Sequence, residues 1–84
     1  SEKAFILDQL EYPEAAKAID LKGQVIVGFT VDELGLISNV RLMRGIGYGC
    51  DEEVIRVIRA MPLWNPKRIN GIPTATEVLR HIAF

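Results

Sequence analysis

The 84-residue chain contains one cysteine and one histidine, so thiol, imidazole and metal chemistry would rest on Cys50 and His81. A Cys–His pair is the smallest arrangement that activates a sulfur nucleophile, because the imidazole can take the thiol proton. Cys50 stands at the start of a helix-like segment, where the helix dipole lowers a thiol pKa. Asp51-Glu52-Glu53 follow at once, and negative neighbours oppose the thiolate. Cys50 therefore reads as a buried structural thiol, and His81, between Arg80 and Ile82, as a surface residue. Two such residues cannot build a four-ligand zinc site of the finger type, and one cysteine closes no internal disulfide.

Gly45-x-Gly47-x-Gly49 precedes the same helix. Backbone amides at a glycine-rich turn can cradle a phosphate, but three carboxylates at the helix start repel the anion. The spacing also departs from the dinucleotide fingerprint, so these glycines read as a tight connection. Trp64, ahead of Pro66, reads as a core anchor plugging the end of a sheet rather than as a partner-facing aromatic. No paired carboxylates, triad or metal cluster remains. The residues describe a small binding domain, not an enzyme, with no catalytic residue, cofactor or metal expected.

The elements that position these residues follow from composition and period. With 49% hydrophobic and 25% charged residues the chain can pack a core, and its length suits one domain over 1–84. Ten basic against eleven acidic residues give a net charge of −1, which argues against nucleic acid as a partner. No apolar run approaches the ~20 residues needed to cross a bilayer. Ala4-Phe5-Ile6-Leu7 is apolar but brief, and is read as an arm or short strand. Tyr12-Pro13-Glu14-Ala15-Ala16 opens a short helix with Pro13 at its first position, held by packing of Ala15, Ala16 and Ile19.

From Gln24 to Asp32, Val25, Val27, Phe29 and Val31 alternate with Gln24, Gly28 and Thr30, which is strand period two. Asp32-Glu33-Leu34-Gly35 is a turn, and Leu36–Arg44 is a second strand, giving an antiparallel hairpin. Val54, Val57, Ile58 and Met61 recur at helical spacing after Asp51, and Pro62 ends that helix. Trp64 to Pro73 reads as a proline-punctuated loop. Thr74–Phe84 is a last strand with Val78, Ile82 and Phe84 on one side, interrupted by Arg80.

The expected fold is α+β: two helices on one face of a three-stranded antiparallel or mixed sheet of order 2-1-3. Its core is Val25, Val27, Phe29, Val31, Val40, Leu42, Val54, Val57, Ile58, Met61 and Trp64. Arg56 falls on the polar helix face, where truncation should change little.

The ordered motifs resemble a known family. Tyr12-Pro13-x-x-Ala16, Gly23-x-Val25-x-Val27-x-Phe29-x-Val31-Asp32-x-x-Gly35 and Asn39-Val40 are similar to the first half of the TonB C-terminal domain. Gly45-Ile46-Gly47, Cys50-Asp51-Glu52-Glu53-Val54, Met61-Pro62, Trp64-x-Pro66, Gly71-x-Pro73 and Ile82-x-Phe84 are similar to the second. The resemblance runs from about Gln9 to Phe84. Three departures fall in or before the last strand: Lys67 after Trp64-Asn65-Pro66, Thr74 after the Gly-x-Pro step, and Arg80-His81 before Ile82.

The resemblance implies a periplasmic domain at the end of a protein anchored in the inner membrane of a Gram-negative bacterium. Its transmembrane helix and proline-rich spanner would lie upstream of these residues. It implies recruitment of the TonB-box peptide of outer-membrane transporters by strand addition, and passage of force from inner-membrane proton-driven motor proteins. The implied contacts are Thr74, Ala75, Thr76, Glu77, Val78, Leu79, Arg80 and His81 in the last strand, with Gln9, Tyr12 and Pro13 ahead of the short helix. The alternative is an interaction module of a membrane sensor or peptidase. An unpaired edge strand could also pair two copies as a homodimer.

Overall fold

The computed structural model describes residues 2–84, with three helices, a three-stranded sheet and a two-stranded ribbon. In chain order the elements are α1 (Glu2–Gln9), α2 (Glu14–Ala18), β1 (Gln24–Val31), β2 (Ile37–Arg44), α3 (Cys50–Arg59), β3 (Lys67–Ile69), β4 (Ile72–Thr74) and β5 (Thr76–Ala83). Among the described residues, no helix is long and apolar enough to cross a membrane.

β1 is the centre of the molecule. Its period-two stripe of Val25, Val27, Phe29 and Val31 is 0–1% exposed, and both its edges are paired, to β2 and to β5, each antiparallel. The α+β class and the three-stranded sheet agree with expectation. The expected third strand is the fifth in the chain, so the order reads β2-β1-β5. α3 supplies the opposing stripe: Val54, Val57 and Ile58 are 1% exposed, where a period of 3.6 meets a period of two. Cys50 is fully buried beside them.

The turn between β1 and β2 forms as its residues require. The Asp32 carboxylate accepts the Leu34 and Leu36 amides at 2.9 Å each, and Gly35 takes φ +85°. A Cβ there would also collide with the Trp64 carbonyl oxygen, because the Trp64 amide donates to Gly35 O at 2.9 Å. Trp64 is half-buried, edge-to-face on Phe29 at 5.4 Å.

Several expectations are corrected. Residues 4–7 are neither arm nor strand but lie inside α1, which buries Ile6 and packs Phe5 against the core, with Leu10 packing just beyond its end. A four-residue apolar run carries no period, and Leu7 is 68% exposed, so no stripe announces this helix. The sheet is therefore accompanied by three helices rather than two. Pro13 precedes α2 as its N-cap instead of being its first residue. In so short a helix only Ala16 turns inward, while Ala15 and Ile19 stay exposed.

The expected loop contains the β3–β4 hairpin, whose Asn70-Gly71 turn takes φ of +52° and +80°. That pair of positive φ values is what a two-residue hairpin turn demands. Leu42 lies opposite Val27, but on the outer strand β2, whose ladder is twice irregular, and it remains 42% exposed. Val40 and Met61 pack against the core without being sealed in it.

Arg56 is not a bystander. Its Nη2 donates to the Gln9 carbonyl at 2.9 Å, and its Nε donates to Glu53 at 2.7 Å. The Glu53 carboxylate in turn accepts the Glu11 amide at 2.6 Å. This network ties α3 to the α1–α2 connection.

Val27→Asp should abolish the cooperative thermal transition, because it buries an unpaired charge at a fully covered site. Arg59→Ala, at an exposed position, should stay within about 0.5 kcal/mol of wild type. Arg56→Ala should lower Tm more than Arg59→Ala does. Melts followed by circular dichroism check the ranking, and equal effects of Val27→Asp and Arg59→Ala would reverse the facing of the helix and sheet.

Candidate functional site

The outer edge of β5 is where the strand's backbone is open. Its register on β1 runs through eight pairs without a shift, from Gln24↔Ala83 to Val31↔Thr76. The Phe84 amide donates to Gly23 O at 2.9 Å. Antiparallel pairs alternate between mutual bonding and none, so Thr76, Val78, Arg80 and Ile82 direct their backbone groups to β1. Glu77, Leu79, His81 and Ala83 direct theirs outward.

Side chains alternate with the same period. Thr76, Val78, Arg80 and Ile82 face the helices and are buried or half-buried, while Glu77, Leu79, His81 and Ala83 are exposed on the other face. Arg80 thus sits within the apolar stripe that the sequence showed it interrupting, opposite Val27. Its Nε and Nη2 bind the two Glu2 carboxylate oxygens at 2.5 and 2.9 Å. Its Cζ lies 5.5 Å from the centroid of the Trp64 ring. The remaining Nη1 donates to the Leu79 carbonyl at 2.9 Å. Glu2 raises the guanidinium's pKa, so this cation is permanent.

The opposite face carries a second cross-strand set. Arg41 on β2 reaches over Gly28 to Glu77 at 2.5 Å, and Thr30 Oγ1 donates to the same carboxylate at 2.7 Å. A Cβ on Gly28 would lie 3.3 Å from Arg41 Cζ, so the glycine leaves the path open. Hydrogen bonds from Arg41 and then Thr30 hold the Glu77 carboxyl below the usual range.

The other expected contacts lie apart from the middle of this edge. Thr74 belongs to β4, paired with Lys67, and Ala75 is the break before β5. The expected 74–81 strand is therefore two elements, and the continuous edge is Thr76–Ala83. Tyr12 packs edge-to-face on Phe84 at 6.0 Å, just past the end of β5, and its hydroxyl donates to the Leu21 carbonyl. Gln9 ends α1 with its side chain exposed, and Pro13 sits beside Gly49.

Glu2 was missed by sequence reading, because the segment around it carried no helical period. The signal that could have found it is Arg80 itself: a cation in an apolar stripe calls for a carboxylate nearby.

The two chemical candidates of the sequence resolve structurally. The Asp51 carboxylate accepts the Ile46 amide at 2.9 Å and the Gly47 amide at 3.2 Å, so these two amides of the glycine-rich turn already hold a carboxylate. Burial, then Asp51 and Glu52, push the Cys50 thiol up, away from nucleophilic character. His81 lies on the exposed face of β5, and no group of three metal-ligating side chains forms among the described residues.

Residues 8–84 match the sequence profile of the family described as Gram-negative bacterial TonB protein C-terminal. No curated protein sequence matches the chain.

Two measurements test this anatomy. Arg56 depresses the Glu53 carboxyl, so Glu53's contribution is present above the ordinary carboxylate pKa and lost as pH falls through its lowered value. The Tm gap between wild type and Glu53→Gln should thus be open at neutral pH, corresponding to about 1 kcal/mol, and close in strong acid. A gap that widens on acidification would contradict the assignment. For Cys50, a thiol reagent should label the protein only at its unfolding rate, and rapid native-state labelling would show the thiol to be accessible.

Proposed function

The chain belongs to the family of Gram-negative bacterial TonB C-terminal domains, and from that premise we propose that β5 recruits an extended segment of an outer-membrane transporter by strand addition. Membership makes this a TonB-like, non-catalytic interaction domain of the periplasm, from a family that interacts with outer-membrane transporters. The finer reading is that the recruited segment is the TonB box. On this reading the domain passes on force supplied by proton-driven motor proteins of the inner membrane.

The observation that carries it is the contrast between the two edges of the sheet. β2 is irregular between Ile26/Val27 and between Gly28/Thr30, and its Asn39 takes φ +52°. Such bulges blunt an edge against pairing. β5 is in register along its whole length, with outward backbone groups at every second residue from Glu77 to Ala83. A flat, regular edge is what β-augmentation requires, because main-chain bonds supply affinity while side chains tune selectivity.

Leu79→Pro removes an outward N–H, whereas Arg80→Pro removes an N–H directed to β1. Titration of a synthetic TonB-box peptide by calorimetry should therefore show Leu79→Pro folded and weakened by about tenfold or more. Arg80→Pro should lose thermal stability instead. Undiminished binding by folded Leu79→Pro would sink the strand-addition reading.

A further inference from the structure

Resting on the strand-addition reading, we propose that Arg80 selects what docks on β5: Glu2 of α1 holds its guanidinium across the Leu79 carbonyl, and a docking segment takes Arg80 over with a carboxylate of its own.

The Leu79 carbonyl is one of the outward acceptors of β5, and an added strand must offer it an N–H. In the free protein Arg80 Nη1 already donates to it. An added strand's N–H therefore competes with a charged donor for this carbonyl, and Nη1, on a side chain 38% exposed, is left to water unless the segment brings it a better acceptor. Arg80 stands on the helix-facing side of the strand, between the Trp64 ring and α1. Only Nη1 loses its partner, since Nε and Nη2 stay on Glu2, and the acceptor from which a guanidinium gains most is a carboxylate.

The space beside it has the shape for such a segment. A groove of about 480 Å³ runs between α1 and the end of β5, with Ile6, Leu7 and Leu10 on one wall and Ile82 and Ala83 on the other. Side chains of a strand alternate across its faces. Every second residue of an added segment would thus enter this groove and cover Leu7, which is 68% exposed. Lys3 and Arg80 line the groove as cations, with Glu2 as its one carboxylate. Two cations against one carboxylate leave the groove at net +1, and an incoming carboxylate brings it to balance. An extended segment with apolar residues on the groove side and one acidic residue level with Arg80 fits both features.

The existing pair is suited to exchange. The Glu2 and Arg80 side chains are 28% and 38% exposed, and partly solvated pairs contribute modestly to stability. Swapping one carboxylate for another costs little, whereas a neutral segment takes the Leu79 carbonyl from Nη1 and offers it no charged acceptor in return. Glu2 therefore acts as a placeholder that lets acidic segments in and disfavours neutral ones.

Calorimetry on the 84-residue chain tests the exchange, using two synthetic extended peptides that differ only by Glu or Gln at the residue placed level with Arg80. Wild type should bind the Glu peptide roughly three- to tenfold more tightly, a preference that shrinks in high salt. Glu2→Gln should bind the Glu peptide more tightly than wild type does. Arg80→Leu should bind both peptides alike, with its melt confirming the fold and Arg80→Gln standing in if it does not fold. Equal binding of the two peptides by wild type, or weaker Glu-peptide binding by Glu2→Gln, overturns Arg80's role while leaving strand addition intact. If neither peptide binds any folded form, strand addition fails and this inference falls with it.

Discussion

Every part of the molecule that matters to recognition depends on β1 being saturated. Val25, Val27, Phe29 and Val31 are sealed against the helical layer, and the backbone groups of β1 are taken on one side by β2 and on the other by β5. A central strand with no free face toward the helices and no free edge leaves pairing capacity only at the margins of the sheet. Three strands is the smallest sheet that can do this. The consequence is that β2 and β5 must each be an edge, and the chain treats them differently.

The difference originates in single residues. On β2, Asn39 at positive φ and two breaks in the ladder interrupt the regular edge. On β5 the ladder is regular, and the irregularity is chemical instead: a guanidinium stands where a valine or leucine would pack. That cation is held by the Glu2 carboxylate and faced by the Trp64 ring. It thereby links α1 to β5 and to the segment after α3. Replacing Arg80 by an apolar residue would fill the stripe but remove the ion pair that joins the N-terminal helix to the last strand.

The parts of this anatomy that were legible in the sequence are those in which one local rule governs. The β1–β2 hairpin follows from alternation plus the Asp32–Gly35 turn chemistry, and α3 from i, i+3, i+4 spacing, acids at its start and Pro62 beyond its end. What failed to show is set by tertiary context. α1 has apolar residues without a period, and its helical state rests on packing by Phe5, Ile6 and Leu10. Leu42 carries the right phase for the core but lies on the blunted strand. Arg56 looked like a solvated face residue because the Gln9 carbonyl it binds is 47 positions away in sequence. The β3–β4 hairpin was legible, since Asn70-Gly71 between Ile69 and Ile72 is a strong hairpin signal, but the surrounding prolines masked it. At the candidate site, the last strand and its apolar residues could be read. The outward phase of Leu79 and the Glu2–Arg80 pair could not, because both need register and a contact spanning 78 positions.

On the strand-addition proposal, the edge of β5 that would take a partner is also open to misuse, since any extended chain can pair with it. Arg80 bears on that conflict more than the surrounding hydrophobic contacts do. A purely apolar rim would strengthen docking of every strand alike, including a second copy of the same domain. A cation laid across the Leu79 carbonyl makes unselective pairing costlier, and the Glu77–Arg41–Thr30 set adds charge to the face that the helices leave bare. Selectivity by this route needs no rigid pocket. It needs a weak internal ligand for the cation, close enough to hold it and exposed enough to release it, and Glu2 at the start of α1 stands in that position.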